Sequence, residues 1–409
     1  MPRAIRIFTV RAINWAVAVA SASMTSNLEV RTYDVIIIGG GIGGVSIGYE
    51  LASDRTVCLL EQESTLAFHT TGRSAALFLE TYGNKPIRAL TSASRGFLRE
   101  PPAHFEGELL SPRTLLQFAA RGRGAILESM FEQVRSLTPD AQLVSSREAH
   151  ELFPPLRADR IDLALHEPGS MEIDVHALHQ GFLRGLRKRG GHVETDSGVV
   201  NLQRHDGIWH VTSRDGTVRR AGIVVNAAGA WADSVATLAG AQRSGLRPLR
   251  RTIFMISAPR EMDTNALPTL SDIDESFYIK PEGDRLLCSP ADETPVEPSD
   301  ARADDLEIAR ALDAIHETTT LTARHVRSSW AGLRSFVADR TPVVGFDPRV
   351  DGFFWCAGQG GYGIQTCSAL SRVGAALIRG TELPSDVVDR GLAAADLAPG
   401  RDFAAPSDV

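Results

Sequence analysis

The junction where Tyr33-Asp34-Val35-Ile36-Ile37-Ile38 runs into Gly39-Gly40-Gly41-Ile42-Gly43-Gly44 restricts the fold more than any other stretch. An almost wholly apolar, β-branched run suits a strand buried on both faces of a parallel sheet. It ends abruptly at glycines, and Val45 to Ala52 reads as a helix. Gly39, Gly41 and Gly44 fall at the fixed positions of G-x-G-x-x-G. The first permits the tight turn, the second lets the backbone approach a pyrophosphate, and the third lets helix pack closely on strand. The helix that opens near Ile42 then directs its free N–H groups and dipole at the phosphates. A second strand, Val57 to Leu60, leads into Glu61 and Gln62, about twenty residues on, where a carboxylate binds ribose hydroxyls. Taken alone, Glu61 is an ordinary surface acid; its place at the strand end promotes it.

Composition narrows the class. At 409 residues the chain has room for two or three domains. A hydrophobic fraction of 43% and a net charge of −7 describe an ordinary soluble protein, with no broad cationic surface for nucleic acid. Cys58, Cys288, Cys356 and Cys367 are scattered with no metal-ligand spacing, which gives a metal site little support. The first 28 residues lack Asp and Glu and carry Arg3, Arg6 and Arg11. Their apolar piece is short for a targeting peptide. The expectation is a disordered N-terminal extension over 1–30, of which 1–23 lies upstream of a start at Met24, and a cytoplasmic location. No run approaches the eighteen or so apolar residues of a membrane span.

Along the chain, Phe68 to Ala76 (with Thr71, Arg73 and Ser74) forms a polar loop after the second strand. It is either a solvated turn or a source of hydroxyls and a guanidinium for a bound nucleotide. Leu77 to Gly83 is too apolar for an exposed loop. Pro86 to Phe97 reads as a helix, and helical periodicity is expected through about 103–160. Asp174 caps a helix with the apolar stripe Val175, Leu178, Phe182 and Leu186. Asp206-Gly207 and Asp215-Gly216 between alternating runs predict a meander. It leads into Val224-Val225-Asn226-Ala227-Ala228-Gly229, a second buried strand with a small-residue turn. Period two puts Arg251 with Ile253 and Met255, and Tyr278 opposite to Phe277 and Ile279. Phe353 to Ala357 is a third buried strand. Gly360, Gly361, Tyr362, Gly363, Ile364 and Gln365 follow in a third glycine-rich junction. These features predict an α/β (α+β overall) chain. A Rossmann-like domain is assembled from 31–84, 161–239 and 328–391, with a substrate domain on a mixed or antiparallel sheet from 85–160 and 240–327. A flexible tail is expected over 392–409.

In this order the motifs V-I-I-I-G-G-G-I-G-G, H-T-T-G-R-S-A-A, V-N-A-A-G-A-W, D-E-S-F-Y, W-A-G-L-R-S-F-V-A-D and Q-G-G-Y-G-I-Q-T resemble the FAD-dependent D-amino-acid oxidase/sarcosine-oxidase superfamily. Bacterial D-amino-acid dehydrogenases of the D-arginine dehydrogenase kind are the most similar branch. The resemblance implies FAD with its ADP end on Gly39, Gly41, Gly44 and Glu61, and Val200 near the adenine. It places the isoalloxazine against the His69 to Ala75 and Gly360 to Gln365 loops. Relatives with covalent flavin carry a cysteine just after W-A-G-L-R; Ser335-Phe336-Val337 stands there, so FAD is expected to be non-covalent.

Oxidising an α-amino acid moves a hydride from Cα to flavin N5, and orientation and electrostatics dominate. A guanidinium clamps a carboxylate as lysine cannot. Arg334 and Tyr278 are the expected anchors, with Tyr82 and Arg251 bordering the substrate. Judged by pattern alone, Arg334 could equally be a structural ion pair and Tyr278 ordinary strand packing; the resemblance decides. Leu77-Phe78-Leu79 and Ser111 to Leu116 are mainly apolar, Glu80 excepted, which favours a neutral or hydrophobic D-amino acid. Sarcosine-type oxidases carry a lysine near the flavin on a strand after the F-Y segment. Arg285-Leu286-Leu287-Cys288 has none, which favours a dehydrogenase serving a quinone or similar acceptor. The alternatives are an oxygen-using oxidase of sarcosine, glycine or similar amino acids, a 2-hydroxy-acid dehydrogenase, and a non-catalytic nucleotide-binding regulator.

Overall fold

A computed structural model describes residues 30–323 and 325–403. The N-terminal extension, through residue 29, lies outside them.

The apolar run forms the strand Thr32–Ile38, paired in parallel with Val57–Leu60 on one side and Val218–Asn226 on the other. Val218–Asn226 is long enough to serve two neighbours. Its first half pairs antiparallel with the meander strand Ile208–Ser213, and its last residues pair in parallel with Phe353–Ala357. His192–Glu194 extends the far edge. The outcome is an eight-stranded sheet whose core is parallel. Helices Ile42–Leu51, Val175–Lys188 and Gly363–Arg379 cover one face, with Val45, Ile47, Leu178, Phe182, Leu370 and Val373 in one buried cluster. The capping reading holds at Asp174. The Asp174 carboxylate accepts the Ala177 N–H at 2.7 Å, and Gly380 ends its helix in the left-handed region at φ 68°.

The second sheet has nine strands and is almost wholly antiparallel. Its two faces follow from period two. Phe254, Ile256, Leu270, Ile279, Leu286 and Cys288 point one way, into a core shared with Ile308, Ala311 and Ile315 of helix Asp305–Thr318. The opposite parity, including Arg251, Ile253, Tyr278, Leu287 and Arg334, faces the first sheet's loops.

Several expectations need correction. The stretch 103–160 is not mainly helical: Leu110–Pro112, Leu115–Ala120 and Gln142–Ser145 are strands, because their residues find partners far along the chain. Strands Ile161–Glu167 and Ser328–Phe336, expected in the nucleotide domain, belong to the second sheet. Helix Lys85–Arg99, expected in the substrate domain, packs its Leu90 and Ala93 with Leu370 beside the first sheet. The tail is docked as far as residue 403. Leu392 and Leu397 are buried, and Arg401 pairs with Asp339 at 2.8 Å. No helix among the described residues is long and apolar enough to cross a membrane.

Candidate active site

At the nucleotide end the glycines sit where their lack of a side chain matters. Gly39 adopts φ +113°, and a Cβ there would run into the Ala227 carbonyl. A Cβ on Gly44 would lie far inside contact distance of the Gly39 carbonyl oxygen, so helix and strand approach as closely as backbones can. Gly41 caps helix Ile42–Leu51 without a side-chain bond, and no acidic residue occupies the first turn. That end of the helix is therefore electropositive, the polarity an anion favours. Glu61 is buried at the end of the second strand, and its carboxylate accepts the Gly40 N–H at 2.7 Å and the Glu63 N–H at 2.9 Å. Thr71 Oγ1 accepts the Ile42 N–H at 3.0 Å. Gly229 turns at φ 55° after Ala228. Gln62 lies near Gly198, just before the strand carrying the exposed Val200. This cradle fits a dinucleotide: glycine backbone for the pyrophosphate, a strand-end acid for the ribose and an exposed edge for the adenine.

Three expected ligands have their side chains engaged elsewhere. Arg73 donates to the carbonyls of Phe68, Ala301 and Ala331 and pairs with Asp300. Gln365 accepts the Leu79 N–H at 3.1 Å and donates to Thr91 Oγ1 at 3.0 Å. The Ser74 hydroxyl likewise donates to the Thr70 carbonyl at 2.9 Å. These side chains hold the loops, which leaves main chain as what they offer a cofactor. His69 packs against Trp231 with the ring planes tilted and their centres 4.6 Å apart, a shaping role.

The strand Ser328–Phe336 is stitched into place from both sides. Thr70 Oγ1 donates to the Leu333 carbonyl at 2.7 Å, and the Trp330 indole donates to the Arg73 carbonyl at 3.2 Å. From the other side, the Gly360 N–H donates to the Ser335 carbonyl at 3.0 Å. Gly360, at φ 53°, and Gly361 press directly on this strand. A Cβ on Gly361 would sit 3.1 Å from Arg334 Cζ, and one on Gly360 would enter the Phe336 ring. Ile364 is buried in the helix that follows.

Arg334, Arg251, Tyr278 and Tyr82 converge. Register places Arg251 opposite Gly332 and Leu249 opposite Arg334, so both arginines share a face. Arg334 Nη1 donates to Tyr82 Oη at 3.4 Å. The Tyr82 ring packs edge-on against Tyr362 at 4.9 Å, and Phe336 meets Tyr362 at 5.9 Å. Burial opposes the Arg334 charge, but Tyr82, Tyr278, Glu275 and Tyr362 outweigh it and hold the guanidinium above its ordinary range. Arg251 goes the other way: burial, then the neighbouring Arg334, push it down. Burial also lifts the Tyr362 phenol to about 12, so it stays protonated.

Sequence reasoning missed what balances these charges. Glu293 accepts from Arg251 Nη2 at 3.1 Å and takes a two-pronged grip from Arg340 at 2.7 and 2.9 Å. Burial raises the Glu293 acid, yet the surrounding arginines hold it below the usual carboxylate range. Glu275 reaches Arg251 only at 4.0 Å and is mostly exposed. Three guanidiniums therefore face two carboxylates, and Arg251 Nε is buried with no partner. The group as a whole carries an excess of positive charge. Sequence reasoning also missed Lys280. It sits opposite the site-facing Leu287, closed off by Glu172 and by Glu282 at 2.7 Å. Only the register, invisible in one strand, brings these residues to the site.

Residues 34–377 match the family described as DAO: FAD dependent oxidoreductase. The chain belongs to that family. FAD is its cofactor, consistent with the glycine cradle. Rat mitochondrial dimethylglycine dehydrogenase is 31% identical over 63% of this chain, which spans only 30% of that protein's length. Glycine oxidase of Geobacillus kaustophilus is 27% identical over 90% of this chain and 96% of its own. The crystal structure of glycine oxidase from that organism superposes with a TM-score of 0.77 over 91% of this chain and 99% of its own, at 22% identity. Iminodiacetate oxidase from Chelativorans sp. BNC1 gives 0.74 at 22% identity, over 89% of this chain and 98% of that one. At such identity the structures establish the fold: a mixed α/β flavoprotein architecture.

Proposed function

We propose that this FAD-dependent oxidoreductase dehydrogenates a small D-amino acid with a neutral or hydrophobic side chain. The product is an imino acid that water converts to the 2-oxo acid and ammonia. The observation that carries the reading is the uncompensated positive charge of Arg334 and Arg251 beside the phenols of Tyr278 and Tyr82. A carboxylate there gains charge-assisted hydrogen bonds in a partly buried site. FAD, when bound, supplies the hydride acceptor. The chain's own groups fix the carboxylate and so the face that Cα presents, and Gly360 and Gly361 keep side chains clear. None of these groups need act as a strong base when the amine arrives unprotonated. Glu80 is buried but paired with Arg95, which leaves it no charge to offer a basic side chain and supports a neutral one. Resemblance to D-arginine dehydrogenases concerns the anchors rather than this preference.

The acceptor is proposed to be a quinone or similar molecule, since the site-facing position of Arg285–Ser289 is Leu287. The second reading is an oxidase of glycine- or sarcosine-type amino acids. The names of the relatives favour it, and so does Lys280, which reaches the same face from the adjacent strand.

The deciding experiment is anaerobic bleaching of the purified protein with D- and L-forms of Leu, Phe, Met and Arg, with glycine, sarcosine and 2-hydroxy acids, followed by reoxidation in air. Bleaching by D-Leu, D-Phe or D-Met with slow peroxide release is expected. Preference for D-Arg, an L-isomer or sarcosine overturns the substrate assignment, and rapid peroxide release overturns the acceptor.

A further inference from the structure

A polar cavity of about 260 Å³ is lined by Phe78, Glu80, Arg95, residues 137–141, Glu167, Gly169 and Ser170. It shares no lining residue with the Tyr82, Arg251, Tyr278 and Arg334 group. The strand Ile161–Glu167 lays Glu167 opposite Leu115, just beyond the apolar patch of Leu127, Ala141 and Leu165. The segment Leu77 to Tyr82 forms the other wall. It turns Phe78 and Glu80 toward this cavity and Tyr82 toward Arg334.

The lining is unbalanced in a definite direction. Glu80 is neutralised by Arg95. Glu167 is 3% exposed and has no cationic partner among the described residues; of these, only the Thr81 hydroxyl donates to its carboxyl oxygens, at 2.9 and 3.0 Å. Asp140 adds a carboxylate at the exposed rim. The Ser170 hydroxyl, in a residue 4% exposed, and the Thr138 hydroxyl are both buried without a hydrogen-bond partner among the described residues. Buried hydroxyls and carboxyls are nearly always satisfied, and a buried acid lacking a counter-ion is costly. Burial accordingly lifts the Glu167 carboxyl to about 7, with Thr81 opposing. What is missing is a positively charged group with several N–H donors. No cluster of three or more His, Cys, Asp and Glu able to hold a metal ion occurs among the described residues.

We propose that this cavity binds a small organic cation, an ammonium or guanidinium head with Glu167 as its counter-ion and Ser170 and Thr138 as acceptors, separate from the carboxylate anchors. Thr81 joins the two regions, since its hydroxyl meets Glu167 and its chain neighbour is Tyr82.

The test is isothermal titration calorimetry on the FAD-loaded protein at pH 8 and constant ionic strength. The probes are methylguanidinium, methylammonium and neutral N-methylurea. The proposal expects saturable binding of at least one cation and none of the urea. Glu167→Gln, which still accepts from Thr81, is expected to weaken binding by more than about tenfold. Ser170→Ala removes a hydroxyl that nothing in the fold uses and is expected to weaken binding by roughly threefold. Absence of cation binding by the wild type, or unchanged affinity in either variant, overturns the proposal. No readout involves turnover, so the result stands apart from the substrate assignment.

Discussion

Replacing Glu167 by glutamine should change how stability depends on pH. In the folded chain this carboxyl titrates near 7, against the ordinary 4.5 of a glutamic acid, because it is buried. Each pKa unit is worth about 1.4 kcal/mol, so ionising it inside the fold costs on the order of 3 kcal/mol. Because the residue is only 3% exposed, solvent screening does little to reduce that figure. Below about pH 4.5 the group is protonated folded and unfolded alike, and its neutral form contributes its full stabilisation. Between 4.5 and 7 the unfolded chain has released the proton and the folded chain has not, so stability falls as pH rises. Above 7 both states are ionised and the loss is complete. Glutamine has no proton to release. Thermal midpoints of FAD-loaded wild type and Glu167→Gln, followed by near-ultraviolet circular dichroism from pH 4.5 to 8, isolate this group. The variant should gain several degrees over wild type across that window, and methylguanidinium at pH 8 should narrow the gap. Curves that stay parallel would refute the reasoning about burial.

Two further outcomes follow from the site. Arg334→Lys keeps the charge but loses the planar fork, and should lower kcat/KM by about 10²-fold; the flavin spectrum should be unaltered. Steady-state kinetics on the best bleaching substrate measures it, and an effect below threefold would remove Arg334 from the anchor role. Gly44→Ala must push the helix off the first strand, since the Gly39 carbonyl already occupies the space a Cβ needs. The flavin-to-protein absorbance ratio after gel filtration should fall severalfold, and full FAD retention would contradict the close-approach argument.

Legibility in the sequence varied with the range of the interaction involved. The strand–glycine–helix unit at 32–51 was readable because its constraints are local: a buried run, a left-handed glycine and a helix start. The Asp174 cap was readable for the same reason. Arg334, Tyr278, Tyr82 and Arg251 were nominated through motif resemblance, since nothing local distinguishes them from packing residues. The stretch 103–160 was misread because short strands such as Leu115–Ala120 gain their stability from partners at 161–167 and 269–272, which one window cannot show. The docked tail was missed because Leu392 and Leu397 are isolated apolar residues in an Ala/Pro/Asp-rich segment.

By itself, the sequence determined a Rossmann-like strand–glycine–helix unit and a second, sheet-based region. Glycine conformations and apolar periodicities are properties of neighbouring residues. Tertiary structure alone decided which charges meet. Glu293 became the counter-ion of Arg251 and Arg340, and Arg73 became a structural tie. Glu167 was left beside two unpartnered hydroxyls without a cation. Electrostatic balance in a buried site is a sum over groups far apart in the chain, and register and domain packing fix its terms.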